Sequence, residues 1–516
     1  MDDRLAAAWR LAPGYLAQHV LLSVCALALG FLISLPLAVL ASRSAMVRWP
    51  SLFLASLIQT IPSLALLALF YPLLLALSAF GKSWFGHGFA ALGFLPSLLA
   101  LTLYSMLPIL RNGVTGIMGV DRAAVEAARG MGMTDLQRLF WVEIPLAAPV
   151  IMAGVRTAAV WTIGAATLAT SIGQTSLGNY IFQGLQTENW VFVLFGCAAS
   201  AGLALSADQL LGLIESGMTH RRPWRLWAGG AGLVVGIAAA LSPLAVGSAE
   251  RAYVIGSKNF SEQAILSELM ASRIEAIGAH VVQKQDLGSA TAYRALAAGE
   301  LDAYVDYSGT LWTNVLGRKD NPGREAVLRE LTATLKRRDG VLVLGPLGFE
   351  NAYALAMRAD RARSLGIATI DDLAGHAGQL NLGSDIEFLS RPEWAALRRA
   401  YGLRFRKETS YQPTFMYRAL ADGEADVISA FSSDGRIAAD HLLVLADPRH
   451  ALPPYDAVIL VSPAGAHDQR LLGALRPLIG AIPVSAMRAA NYSVDRDRDK
   501  RTPAQAAATL ARNAGG

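Results

Sequence analysis

The sequence predicts two structural classes on one polypeptide: an α-helical membrane half, then a soluble α/β half built as two lobes. Three observations predict it. Of 516 residues, 53% are apolar and only 16% charged, with a mean hydropathy of +0.37, which is too apolar for a soluble chain of this length. The apolar runs lie between about residues 15 and 247, and charges return from about 250 onward. Strand-like and helical stretches then alternate, as parallel α/β units do. The boundary divides a membrane domain, residues 1–248, from a soluble domain, residues 249–516.

Six apolar segments reach spanning length, roughly 15–41, 51–79, 88–110, 147–171, 189–213 and 226–246. Each can cross a hydrocarbon core of about 30 Å as a helix. Their loops set the orientation. Arg43 and Arg48 lie in the first, Arg111, Arg122, Arg129 and Arg138 in the third, and Arg221, Arg222 and Arg225 in the fifth. The second has only Lys82, and the fourth (172–188) has no basic residue. Positive charge stays on the cytoplasmic side, so the odd loops face inward, and the N-terminus and everything after the sixth span face outward. The opening stretch MDDRLAAAWRLAPGY lacks a basic leader region and a cleavage site, so no removable signal peptide is expected. The tether Gly247-Ser248-Ala249-Glu250 is very short, which holds the soluble half at the membrane at an effective concentration on the order of millimolar.

The net charge of +5 and pI near 9.2 do not indicate nucleic acid, because much of the excess is arginine flanking membrane segments. Both cysteines, Cys25 and Cys197, lie in apolar runs, which excludes a disulfide framework or a cysteine metal site in the soluble half. Gly81-Lys82-Ser83 imitates the end of a phosphate-binding loop, yet Ala76 stands where its first glycine is required. The glycines Gly229, Gly230 and Gly232 fall in the sixth span and suit close helix packing. No nucleophile–base pair or metal cluster is apparent, so neither an enzyme, a cofactor nor a metal is expected.

The longest cytoplasmic loop (about 120–147) contains EAARGMGMTDLQRLFWVEIPLAAP. A short helix through Glu126–Arg129 is expected to break at Gly130 and Gly132, to resume at Leu136, Leu139 and Phe140, and to close at Pro145. Periodicity alone fits a membrane-surface linker or a docking helix equally. The wording Glu126-Ala127-Ala128, then Gly132, then Ile144-Pro145 resembles the EAA motif of type I ABC-importer permeases. The resemblance implies a coupling helix that seats in a separate ATPase chain, a permease homodimer, and a multi-pass protein of a bacterial cytoplasmic membrane. Ile58-Gln59-Thr60-Ile61-Pro62-Ser63 is similar to the permeases of quaternary-amine importers, which makes Gln59 and Thr60 candidates to line the translocation path.

In the soluble half, AYVIG, HVVQKQD and LDAYVDY read as strands of one lobe, and NLGSDIEFL, LRFRKET and ADVISAF as strands of the other. The lobes are expected at about 251–346 plus 446–516, and 347–445, with hinge closure over a ligand. The stretch DAYVDYSGT ends a strand in an aromatic ring and a small polar turn, which suits ligand binding better than packing. Five stretches resemble the binding proteins of glycine betaine, choline and carnitine importers, periplasmic-binding-protein-like domains. They are Gly256–Gln263, DAYVDYSGT, Gly348–Ala354, Ala430–Gly435 and Pro453-Pro454-Tyr455. The resemblance implies an aromatic cage of Tyr307, Tyr353, Phe431 and Tyr455, with Phe431 standing where the family usually has tyrosine. It further implies Lys258, Thr310 and Arg391 as partners of a ligand carboxylate, and Asn351 as a polar wall. Tyr304, Tyr411 and Tyr417 fit packing roles. A cage suits a trimethylammonium group, which has no N–H to donate and is held by π-faces. Two cations beside the cage favour a zwitterionic betaine, an osmolyte, over choline. Ergothioneine, a betaine of histidine associated with fused chains of this layout, meets the same requirements. A membrane-anchored receptor without transport would need neither six spans nor the EAA loop.

Overall fold

The computed structural model describes every residue except 1–2, 86–88, 90, 187–188, 246–251, 319, 386–387, 412, 497–498 and 514–516. The expected tether thus lies outside the described residues. The chain divides into two compact units, Met1–Gly184 with Trp190–Ala249, and Glu250–Gly516 with Leu185–Asn189.

The first unit is helical: α1 (Asp3–Arg43), α2 (Ala45–Thr60), α3 (Ser63–Phe85), α4 (Phe94–Met118), α5 (Arg122–Gly130), α6 (Asp135–Arg138), α7 (Ile144–Ala166), α8 (Gly178–Gln186), α9 (Trp190–Thr219) and α10 (Pro223–Ala245). Among the described residues five helices are long and apolar enough to span, and α2 with α3 make a sixth only if a pair bent by 102° counts as one crossing. The expected straight helix over 51–79 fails at Pro62, which lacks an N–H and pushes Ile61 into an extended conformation (φ −74°, ψ 127°). The Tyr104 hydroxyl donates to the freed Ile61 carbonyl, and Gln59 Nε2 donates to the Tyr104 carbonyl at 3.3 Å. Thr60 Oγ1 turns back to the Leu57 carbonyl at 2.7 Å. The side chains assigned to a path therefore brace this bend. Glycines let neighbouring helices approach: a Cβ on Gly154 would lie 2.7 Å from the Pro108 carbonyl, and one on Gly229 2.6 Å from the Leu210 carbonyl, whereas Gly230 faces open space.

Among the described residues the second unit has ten strands, with helices between them: β1 (Tyr253–Lys258), β2 (Val281–Leu287), β3 (Ala303–Tyr307), β4 (Leu342–Glu350), β5 (Tyr353–Arg358), β6 (Asn381–Asp385), β7 (Lys407–Tyr411), β8 (Val427–Phe431), β9 (Leu442–Val444) and β10 (Asp456–Val461). They make two five-stranded sheets, ordered β2-β1-β3-β10-β4 and β7-β6-β8-β5-β9. The chain crosses between sheets twice, after β4 and before β10, and the crossings meet where Asn351 N–H donates to the Tyr455 carbonyl at 3.0 Å. Parallel pairs β1–β2 and β6–β7 fit the expected units, and β10 and β5 enter antiparallel because each returns from the other sheet.

The lobes also meet where the loop after β8 lies on the helix Val484–Asp495. Arg488 Nε donates to the Ser432 carbonyl at 2.8 Å, Asn491 Nδ2 to the Ser433 carbonyl at 2.9 Å, and Arg436 Nη2 to the Asp495 carbonyl at 3.3 Å. Gly435 is required there, since a Cβ would come within 2.4 Å of Tyr492 Cβ. Two half-buried carboxyls lie at this junction. Burial pushes Asp495 up to about 7, with the Asp434 carboxylate adding to the shift, and burial raises Asp434 as well. A carboxyl raised in the folded state favours folding while protonated. That contribution disappears as pH rises from the unfolded value of about 4 to the folded one. The thermal midpoint of the soluble half is accordingly expected to fall between about pH 5 and about pH 8, with Asp495→Asn flattening the slope. A slope identical in the variant would show that Asp495 does not carry it.

Candidate ligand site

Cross-strand pairing assembles the site. Tyr353 opens β5 directly opposite Phe431 at the end of β8, and their rings lie 4.9 Å apart. Tyr455, immediately before β10, meets Tyr353 edge-on at 5.8 Å. Phe388 closes the group, 4.9 Å from Tyr353. Phe388 belongs to a turn held by its own N–H on Asp385 Oδ1 at 3.0 Å, and this turn also delivers Arg391. Glu387, which preceded Phe388 in the sequence argument, is outside the described residues.

Three of the four expected rings therefore come together. Tyr307 is stacked on Phe260 at 6.0 Å under the Lys258 ammonium, which lies 5.0 Å from its centroid. Its hydroxyl donates to Glu262 Oε1 at 2.6 Å, and Asn351 Nδ2 donates to the same oxygen at 3.0 Å. Asn491 Nδ2 donates to Glu262 Oε2 at 2.8 Å. Burial pushes the Glu262 carboxyl up against the pull of these donors. Asn351 joins both crossings, through its N–H to the Tyr455 carbonyl and its Nδ2 to Glu262. Its Oδ1 and the Oδ1 of Asn491 are buried with no hydrogen-bond partner among the described residues.

The Ser308-Gly309-Thr310 turn has a structural reason that the sequence did not disclose. Ser308 Oγ donates to the Pro454 carbonyl at 3.0 Å and accepts from Asp456 N–H at 2.9 Å. A Cβ on Gly309 would lie 2.6 Å from the Tyr455 ring. The turn clamps the Pro453-Pro454-Tyr455 crossing, and Thr310 is buried beside it. Tyr304 packs, fully buried, and donates to Asp306 Oδ2 at 2.6 Å. Tyr417 is buried in the second lobe's core, with Tyr411 against it.

Of the three expected carboxylate partners, Lys258 and Arg391 are each bound to an acid of the fold. Lys258 Nζ is buried 2.5 Å from Asp306 Oδ1. Arg391 caps the helix Pro392–Tyr401, and its guanidinium binds the buried Glu393 at 3.1 and 3.2 Å, where the Tyr455 hydroxyl also donates. A cation removed from water needs a counter-charge; Lys258 has one on the neighbouring strand β3 and Arg391 has one two residues along, so each is already balanced within the fold. Arg391 also lies 5.2 Å over the Tyr353 ring. Glu262, Asp306, Glu393 and Asn491 were missed as site residues. The visible signal was an acid close in sequence to each assigned cation or ring.

In the helical unit the loop motif forms α5 and a turn. Glu126 and Ala127 are exposed and Ala128 is buried. Gly132 holds φ +80°, and its N–H donates to the Arg129 carbonyl at 2.9 Å in a left-handed helix stop. Pro145 does not close the loop as expected. It stands exposed in the first turn of α7, beyond half-buried Ile144, after a π-helical turn (Leu139–Glu143) that accommodates its missing N–H. Glu143, also missed, is buried between Arg43 and Arg138.

Residues 251–512 match the family described as the substrate binding domain of ABC-type glycine betaine transport systems. Residues 30–220 match the binding-protein-dependent transport system inner membrane component. A Helicobacter pylori (strain G27) protein named ergothioneine transport permease/ergothioneine binding protein is 29% identical over 423 residues, 78% of this chain and 72% of its own. The choline transport system permease protein of Bacillus subtilis (strain 168) is 40% identical over 209 residues, 40% of this chain and 89% of its own. A solved glycine betaine/carnitine/choline ABC transporter chain is 28% identical with a TM-score of 0.45, covering 50% of this chain and 97% of that one. The chain belongs to the glycine betaine family of ABC-type transport proteins, and joins the family's substrate-binding domain to an inner membrane permease component on one polypeptide.

Proposed function

We propose that the chain is the permease and receptor subunit of an ATP-driven importer for a quaternary-ammonium compound, with betaine-type osmolytes as the first candidates. The observation that carries the reading is the ring cluster of Tyr353, Phe431 and Tyr455, on which an organic cation, the Arg391 guanidinium, already lies over a π-face. Two copies would pair around the path, each with its N-terminus and soluble domain outside the cytoplasm. A separate ATPase would dock on α5 and its turn, where Met131 and Leu136 are exposed. Tyr307 as a cage member, and the carboxylate roles of Lys258, Thr310 and Arg391, enter as the sequence resemblance implies them.

A second reading, ergothioneine, has two supports. The Helicobacter protein of that name matches both halves of this chain. The buried Asn351 and Asn491 oxygens offer acceptors to a ligand with ring N–H donors, which glycine betaine lacks.

Calorimetry of the soluble half against glycine betaine, choline, carnitine and ergothioneine separates the two. Tyr353→Ala and Tyr455→Ala are expected to weaken the bound ligand about tenfold or more, the loss of one or two cation–π contacts. Unchanged affinity in both would remove the cage from the account. Lys258→Met alone strands the buried Asp306 and is expected to destabilise the domain by about 3–5 kcal/mol. Lys258→Met with Asp306→Asn is expected to recover the fold and to retain ligand affinity; a lost affinity in the double variant would return Lys258 to the ligand. For the coupling loop, Glu126→Lys and Gly132→Val are expected to abolish ligand-stimulated ATP hydrolysis by the reconstituted complex while ligand affinity holds. Stimulation that survives both would place the ATPase contact elsewhere.

A further inference from the structure

The loop between α4 and α7 holds two buried charges. Arg138 is 5% exposed and Glu143 2%, and Arg138 Nε donates to Glu143 Oε1 at 3.0 Å. Five residues apart on an α-helix, the two side chains would stand roughly 140° around the axis from one another. The π-helical turn Leu139–Glu143, closed by the Ile144 N–H on the Leu139 carbonyl, brings them to one side instead. The turn therefore does more than accommodate Pro145, because it aims Glu143 back at the loop. A buried ion pair adds little stability over an apolar pair of the same size, and its best use is to fix a register or a switch.

The second oxygen of Glu143 leaves the loop. Glu143 Oε2 accepts from Arg43, the last residue of α1. Among the described residues, the other side-chain hydrogen bonds of residues 121–143 stay within that stretch: Asp121 caps α5, and Thr134 and Gln137 cap α6 reciprocally. Arg138 also meets Asp135, whose side chain is 89% exposed, a surface pair of little worth. Helix α5, the Gly132 turn and α6 are thus fastened internally, and Glu143 is their polar tie to α1. Arg43 adjoins Ser44, the single extended residue between α1 and α2 (φ −137°, ψ 123°). From there α2 runs 16 residues to the Ile61-Pro62 bend. A pull on Arg43 therefore acts on two helices at their joint.

We propose that Glu143 is a positioning residue that joins the ATPase-docking turn to the α1–α2 junction, so that movement of the turn reaches α1 and α2 through Arg43. The proposal rests on the reading of α5 and its turn as the ATPase contact, and its test reads movement apart from transport.

The test uses the full-length chain in lipid nanodiscs, with Cys25 and Cys197 replaced by serine and Met46→Cys, a position 87% exposed in the first turn of α2, carrying an environment-sensitive fluorophore. The ATPase subunit is titrated in, and its nucleotide state is then trapped with ATP and vanadate. Trapping is expected to change the emission of the reporter, and Glu143→Gln to reduce that change several-fold while ATPase affinity holds. Arg43→Gln, at a side chain 44% exposed, is the second variant should Glu143→Gln fail to fold; it is expected to reduce the change likewise, and Arg43→Lys to restore most of it. An unmoved reporter in the wild-type complex, a full response in both neutral variants, or a response lost only together with ATPase binding would overturn the proposal and leave an ion pair that merely secures the loop. An ATPase that does not bind the wild-type chain would refute the docking assignment and the joint with it. A response that follows Glu143 and Arg43 in a complex whose hydrolysis no quaternary amine stimulates would uphold the joint and refute the importer reading.

Discussion

The soluble half depends on how Tyr455 is held. Its carbonyl accepts from Asn351 on the opposite crossing, its ring lies on Gly309 at the end of β3, its hydroxyl donates to Glu393 of the second lobe, and its edge meets Tyr353. One residue therefore sets the spacing of both crossings, the depth of the β3 turn and the position of the ring cluster. A side chain on residue 309 would displace the ring first and the other three contacts with it. This is why a strand ends in Ser-Gly-Thr: the serine fastens the crossing by two hydrogen bonds, and the glycine makes space for the ring it carries.

A second constraint is electrostatic. The cations nearest the rings are buried and each is bound to an acid, Lys258 to Asp306 and Arg391 to Glu393. Taking a charge out of water costs several kcal/mol unless a partner replaces the lost hydration, so these pairs belong to the folded domain and constrain the ligand in turn. A ligand carboxylate must compete with Glu393 for Arg391, and Arg391 must share the Tyr353 face with a ligand ammonium. Selectivity in such a site comes from ring geometry and from buried acceptors, and less from free charge.

Much of this arrangement was legible before any coordinates. The two halves, the strands AYVIG, LDAYVDY and ADVISAF, and the aromatic positions on β5, β8 and before β10 follow from periodicity, turn residues and family resemblance. What sequence did not show is pairing across long separations. Nothing local ties Tyr455 to Gly309, or the Glu262 carboxylate to Asn491, because both contacts are made only when the sheets close. The bend at Ile61-Pro62 was missed for a different reason. Hydropathy counts apolar residues and is blind to a missing N–H, and Pro72 in α3 and Pro108 in α4 are accommodated within continuous helix. At Pro62 the helix stops, and the Tyr104 hydroxyl satisfies the Ile61 carbonyl left at its end, while Gln59 serves the Tyr104 carbonyl that Pro108 leaves without an N–H.

The membrane half applies the same electrostatic rule with one difference. Glu143 is matched by Arg43 and Arg138, and Arg138 also binds Asp135 at 2.7 Å, two cations to two acids at the end of the helical loop. At Arg156 one cation meets two acids, Asp208 past the middle of α9 and Glu215 near its end. Asp208 is held by two guanidinium nitrogens and Glu215 by one at 3.4 Å, so the excess falls on the acid nearer the helix end, and the arginine ties α7 to α9 where Gly212 leaves it room.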